Sequence, residues 1–183
     1  MKTMKKNLMM LAAVLCCSVL FNACNKDNGN DSPEADDTKP VSAVMEYTLT
    51  VGDNMLSALN LTIEYYDSDG KVKTEQMTQK TWTKKVKAKL PVTLGARLKA
   101  QLKDGVDVST WEKFTAAYGY NYNGYAVSAS DLVVGNIVAK GTESSLDMKG
   151  DEVPEWLERH TDGLVKFAFD FAEGGQATSR SWE

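Results

Sequence analysis

Few side chains in this sequence are equipped for chemistry, and the most reactive of them crowd at the start. The chain has 183 residues with three cysteines, Cys16, Cys17 and Cys24, and one histidine, His160. Beyond residue 24 there is no thiol for a disulfide, a thiolate zinc cluster or a cysteine nucleophile, and one imidazole does not make a multi-histidine metal site. A serine-histidine-acid hydrolase has to use His160, but no G-x-S-x-G elbow accompanies it. Twenty-five acids make some close carboxylate pair inevitable, so a hydrolase built on such a pair ranks third among the readings. Phosphate-binding glycine loops and dinucleotide fingerprints are absent. The sequence therefore nominates no catalytic residue, no metal ligand and no cofactor. A formal charge of −4 and a pI near 5.2 leave no electrostatic footprint for nucleic acid.

Two features remain. Cys24 follows a secretory-type segment and invites acylation. Tyr118, Tyr120, Tyr122 and Tyr125 cluster around Asn123-Gly124, a strong signal for a tight hairpin. Folding there sets Tyr122 opposite Tyr125 and gathers the tyrosines on one face. Because tyrosine joins an apolar ring to a polar tip, Tyr120, Tyr122 and Tyr125 form a candidate rim for stacking on sugar faces.

The segments that position these residues begin with an address. Lys2, Lys5 and Lys6 precede an apolar run from Leu8 to Phe21, shorter than the ~20 residues a helix needs to cross a bilayer. Residues 1–23 read as a removable signal peptide. Phe21 suits ordinary signal peptidase poorly at −3, whereas Ala23 before Cys24 suits lipoprotein processing. The run Phe21-Asn22-Ala23-Cys24 resembles a bacterial lipobox, departing from the common pattern at −3 and −2. Asn25-Lys26-Asp27 resembles the charged export signals of Bacteroidetes surface lipoproteins. Together they make the chain similar to the small β-rich surface lipoproteins of that group. The resemblance implies an acylated Cys24, outer-membrane attachment and display on the cell surface. Residues 24–41 then form an acidic tether, too poor in apolar groups to offset the entropy of ordering.

Residues 42–183 read as one domain of strands. Met45, Tyr47, Leu49 and Val51 alternate with polar residues, as do Leu59, Leu61, Ile63 and Tyr65. Asp67-Ser68-Asp69-Gly70 supplies a turn, and the polar run from Lys71 to Met77 suits a sheet edge. Trp82, Val86, Ala88 and Leu90 share a parity against Lys85, Lys87 and Lys89. Leu94, Ala96, Leu98, Ala100 and Leu102 oppose Arg97, Lys99 and Lys103. Such alternation predicts half-buried antiparallel strands, and the two lysine-bearing faces are a candidate basic patch for acidic glycans. Phe167, Phe169 and Phe171 mark a late core strand. Val153, Trp156, Leu157 and His160 have helical spacing, which predicts a short helix over 153–161, capped by Asp151 and stopped at Gly163. Many short strands with close turns predict an all-β fold, a two-layer antiparallel β-sandwich, immunoglobulin-like in its layers.

The expected function is a non-catalytic, membrane-anchored binding or assembly lipoprotein contacting glycan or another surface protein. The alternative is a structural subunit resembling fimbrial proteins, in which a sheet edge accepts another chain's strand. The polar stretch Gln176–Glu183 lacks the apolar alternation of a donor strand.

Overall fold

The computed structural model describes residues 36–182. The signal segment 1–23, Cys24 and the tether up to residue 35 lie outside the described residues. The last tether residues do belong to the domain: the Val41 amide donates to Val127 O at 2.8 Å, and Asp37 accepts from the Ser130 hydroxyl.

Nine strands form two antiparallel sheets. They are β1 (Ser42–Val51), β2 (Leu59–Tyr66), β3 (Val72–Gln76), β4 (Thr81–Lys89), β5 (Val92–Leu102), β6 (Phe114–Val127), β7 (Val138–Met148), β8 (Val165–Phe171) and β9 (Ala177–Arg180). One sheet has the order β4-β1-β6-β7, the other β3-β2-β5-β8-β9. The fold is an all-β sandwich. Its likeness to immunoglobulin domains is one of layers, since β1 lies between β4 and β6 and not at a sheet edge.

The inward parity of β1, β2, β5 and β8 is apolar, so pairing and burial select the same register there. Tyr47, Leu49, Ile63, Leu94, Leu98 and Phe171 are almost wholly buried between the sheets. Burying side chains of this size contributes about 1.5–3 kcal/mol each, and a one-residue slip would turn every one of them to water. Polar β3 takes a sheet edge, as its composition predicts.

The sandwich has two unlike ends. The entry end, where β1 begins, carries the turns 67–71, 90–91, 128–137 and 172–176. The far end carries two six-residue helices, α1 (Asp53–Ala58) and α2 (Val153–Glu158). Helix α2 is the predicted one, ending three residues earlier than its spacing suggested. A 3₁₀ turn over Gly150–Glu152 precedes it, where Glu152, not Asp151, accepts the Lys149 amide at 2.8 Å. Gly163, at φ 115°, turns the chain into β8. Trp156 is buried against Phe114, with ring centroids 6.5 Å apart, so α2 closes this end.

One expectation and one candidate fail, while the lysine-bearing faces are outer sheet faces, the reading preferred over a patch. No hairpin forms at Asn123-Gly124: β6 runs straight through, with Gly124 paired to Met45 on one side and Val138 on the other. Both backbone edges are satisfied there, and a turn would forfeit the central strand's two ladders. The glycine serves packing, since a Cβ would meet Met45 Sδ at 2.8 Å and Val138 Cγ2 at 2.9 Å. The chain reverses instead at 128–137. The basic patch also fails to assemble, because β4 and β5 belong to opposite sheets and their polar faces point away from each other. Several of its members are paired with acids: Lys85 with Glu46, Lys87 with Asp131, Arg97 and Lys99 with Glu64.

Candidate functional site

The tyrosine rim divides between the two faces of its strand. Tyr120 and Tyr122 share the inward parity of β6. Their rings stack on each other at 6.1 Å and pack on Phe167 at 5.5 and 4.4 Å. Tyr122 is 8% exposed, and burial raises its pKa, so it belongs to the core. Tyr125 lies on the outer face, where its hydroxyl donates to Glu46 at 3.2 Å and receives Lys85 at 3.4 Å. With β6 unbroken, odd and even positions cannot share a face. Cys24 lies outside the described residues.

His160 is likewise engaged structurally. Its Nδ1 is 2.7 Å from the Trp156 carbonyl, and its ring lies 5.0 Å from that indole. Among the described residues, no group of three or more His, Cys, Asp or Glu is placed to hold a metal ion.

The most strongly perturbed carboxylate in the sandwich holds two sheet edges together. Glu75 on β3 accepts from Lys84 at 2.7 Å, from the Trp82 indole at 2.8 Å and from the Tyr65 hydroxyl at 2.7 Å. These donors, Lys84 foremost, hold its pKa down at about 2, and Glu75 in turn raises that of Lys84. Lys84 shares the inward parity of β4 and lies 4.9 Å over the Tyr65 ring. An inward-pointing charge at the margin of a sandwich discourages edge-to-edge pairing. Among the described residues, every carboxylate with a resolved shift moves downward.

A polar concavity lies elsewhere. A cleft of about 830 Å³ opens at the entry end against the five-stranded sheet, lined by Tyr66, Lys89, Thr93, Asp170, Thr178 and Arg180 among others. Strand register builds it. Thr93 pairs with Asp170, and Asp170 pairs with Thr178, so three polar side chains form a row across β5, β8 and β9 on the outward parity. The Thr93 hydroxyl donates to Asp170 Oδ1 at 2.6 Å, and Arg180 reaches the same oxygen at 3.3 Å. Tyr66 forms an aromatic wall whose ring packs on Trp182 at 4.7 Å, and Arg97 lies 5.3 Å over that indole. On the opposite lip, Asp69 has its pKa lowered by the Lys71 amide.

Chemically, the cleft combines two carboxylates, a guanidinium, an ammonium, two threonine hydroxyls and a phenol ring. It can exchange paired hydrogen bonds with vicinal hydroxyls while one ring covers an apolar face. Of its polar residues, the sequence singled out only Ser68 and Asp69, as a turn, and Lys89, in the candidate basic patch. Thr93 and Asp170 belonged to no motif, and Arg180 sat in a polar stretch, part of which proves to be strand β9. Their convergence depends on β5, β8 and β9 lying side by side, which no local motif announces. No family model, curated protein or solved structure matches the chain.

Proposed function

We propose that this protein is a non-catalytic binding module, held to the outer membrane by acyl chains on Cys24 and displayed at the cell surface, and that the entry-end cleft takes a hydroxyl-rich ligand such as a glycan. The observation that carries the binding reading is the Thr93-Asp170-Arg180 network beside Tyr66 in the entry-end cleft. Binding sites are concave, with a few convergent polar groups fixing orientation, and this one joins donors, an acceptor and a ring. The anchor reading is supported by the Phe21-Asn22-Ala23-Cys24 junction after a short apolar run, and several acyl chains hold where one is marginal. Against the fimbrial alternative, the C-terminal strand β9 is paired within its own sheet and is not a free donor.

A glycan array probed with the full chain tests the ligand class, followed by titration of any hit against Tyr66→Ala and Asp170→Ala. Loss of binding in both variants with melting transitions kept is expected. Unchanged affinity in both would remove the cleft from the account. For the anchor, a palmitate analogue should label the wild type and not Cys24→Ala; equal labelling of the two would remove acylation at that cysteine.

A further inference from the structure

We infer that the 128–137 connection between β6 and β7 contacts the bilayer to which the chain is tethered. This rests on the reading of Cys24 as a lipid anchor.

Three of the most exposed large apolar side chains sit in this one loop: Leu132 at 54%, Val133 at 54% and Ile137 at 60%. Val41, at 44%, is close by. Its amide bonds Val127 O, and Val127 bridges Val133. Val41 and Val133 therefore flank one strand, about 10 Å apart at two strand spacings. Isolated exposed apolar residues are ordinary on a protein surface, but a group at one end of a sandwich marks a contact site.

The loop is held, not loose. The Ser128 amide donates to Leu132 O at 2.9 Å, the Leu132 amide to Ser128 Oγ at 3.2 Å, and the Val134 amide to Ala126 O at 2.9 Å. Asp131 takes a positive φ of 64° and pairs with Lys87 on β4. The backbone thus presents its apolar tips in a fixed arrangement, as an interfacial contact requires.

The course of the chain identifies the occupant. The segment entering from the N-terminal side meets the domain at this same loop, where Asp37 accepts from Ser130. A Cβ on Gly175 would meet Pro40 at 3.0 Å, so the entering segment is packed on both sides. Only residues 25–35 separate Cys24 from the described domain, and a chain of that length reaches no more than about 40 Å even at full extension. Acyl chains on Cys24 place the entry end within reach of the headgroups, while α1 and α2 lie at the other end. Apolar side chains at that depth exchange water for the acyl boundary, adding to the anchor. The cleft opens at the same end, so a ligand held there lies near the headgroup layer.

The test uses the acylated full chain, in which removal of residues 1–23 and linkage of Cys24 leave no free thiol. A single environment-sensitive NBD label is placed at Ile137→Cys, or at Asp104→Cys near the far end, and the protein is reconstituted in vesicles of equal parts phosphatidylethanolamine and phosphatidylglycerol. A blue shift and quenching by doxyl-labelled lipid at position 137, with neither at 104, is the expected result. Acylated protein whose label at 137 still reports water overturns the loop contact and leaves the anchor standing. Shifts of equal size at both positions overturn it too, since the loop would then have no special role. A blue shift at 137 that precedes lipid and grows with protein concentration assigns the loop to a second copy of the chain instead. A chain that takes up no acyl label and stays in the aqueous phase overturns the anchor, and this inference with it.

Discussion

Replacing Glu75 by glutamine removes a charge while keeping the shape of a residue that three donors converge on. The carboxylate accepts from Lys84, Trp82 and Tyr65, all within 2.8 Å, and its pKa falls from 4.5 to about 2. At 1.36 kcal/mol per pH unit, that difference sets a ceiling of about 3 kcal/mol on the stability it contributes. The side chain is 37% exposed, so solvent screening lowers the expected value to about 1–2 kcal/mol. Because the folded-state pKa lies below the unfolded one, the contribution is fully present above the unfolded value and is lost as pH falls through about 2. Urea melts of wild type and Glu75→Gln should therefore differ by about 1–2 kcal/mol at pH 7, and the gap should shrink markedly at pH 2. An equal loss at both pH values would mean that the loss does not come from the ionised carboxylate. No loss at pH 7 would refute the argument that this carboxylate ties β3 to β4.

Three further outcomes test the fold beneath the cleft. Tyr122→Ala should cost about 3–5 kcal/mol, as large core truncations do, and Tyr125→Ala less than about 1 kcal/mol; chemical denaturation of both would expose an error in the face assignment if the order were reversed. Gly95→Ala should destabilise by about 1–3 kcal/mol or prevent folding, because its Cβ would lie 2.3 Å from the Phe167 carbonyl; a thermal melt within error of wild type would contradict the close approach of β5 and β8. Trp156→Ala should cost about 3–5 kcal/mol, and half-buried Leu157→Ala clearly less, so urea midpoints showing similar losses would show that α2 does not close the far end through Trp156.

The layers of this fold were legible because burial imposes a period of two that composition records directly. Met45 to Val51, Leu59 to Tyr65 and Leu94 to Leu102 show it plainly, and each lies in a strand with those residues inward. The short helix was legible from Trp156 and Leu157 for the same reason, at a different period. Asn123-Gly124 misled because turn propensity is local, whereas β6 is fixed from both sides by β1 and β7. That single error carried the tyrosine rim with it, since Tyr125 was placed by the turn and not by its parity along one strand. Helix α1 left no pattern, six residues being too few for a stripe to repeat. The cleft was illegible for a deeper reason: Tyr66, Thr93, Asp170 and Arg180 come from four strands, and sheet order, not any spacing, decides that they meet.

The account stands most directly on where a ligand binds. Backbone amide shifts of the isotopically labelled protein, followed during titration with the best glycan from the array, locate the site without any substitution. The largest changes should cluster at Tyr66, Thr93, Asp170 and Arg180, with Trp182 following through its contact with Tyr66. Changes centred on β6 and β7, or on the lysines of β4, with the cleft silent, would contradict the assignment.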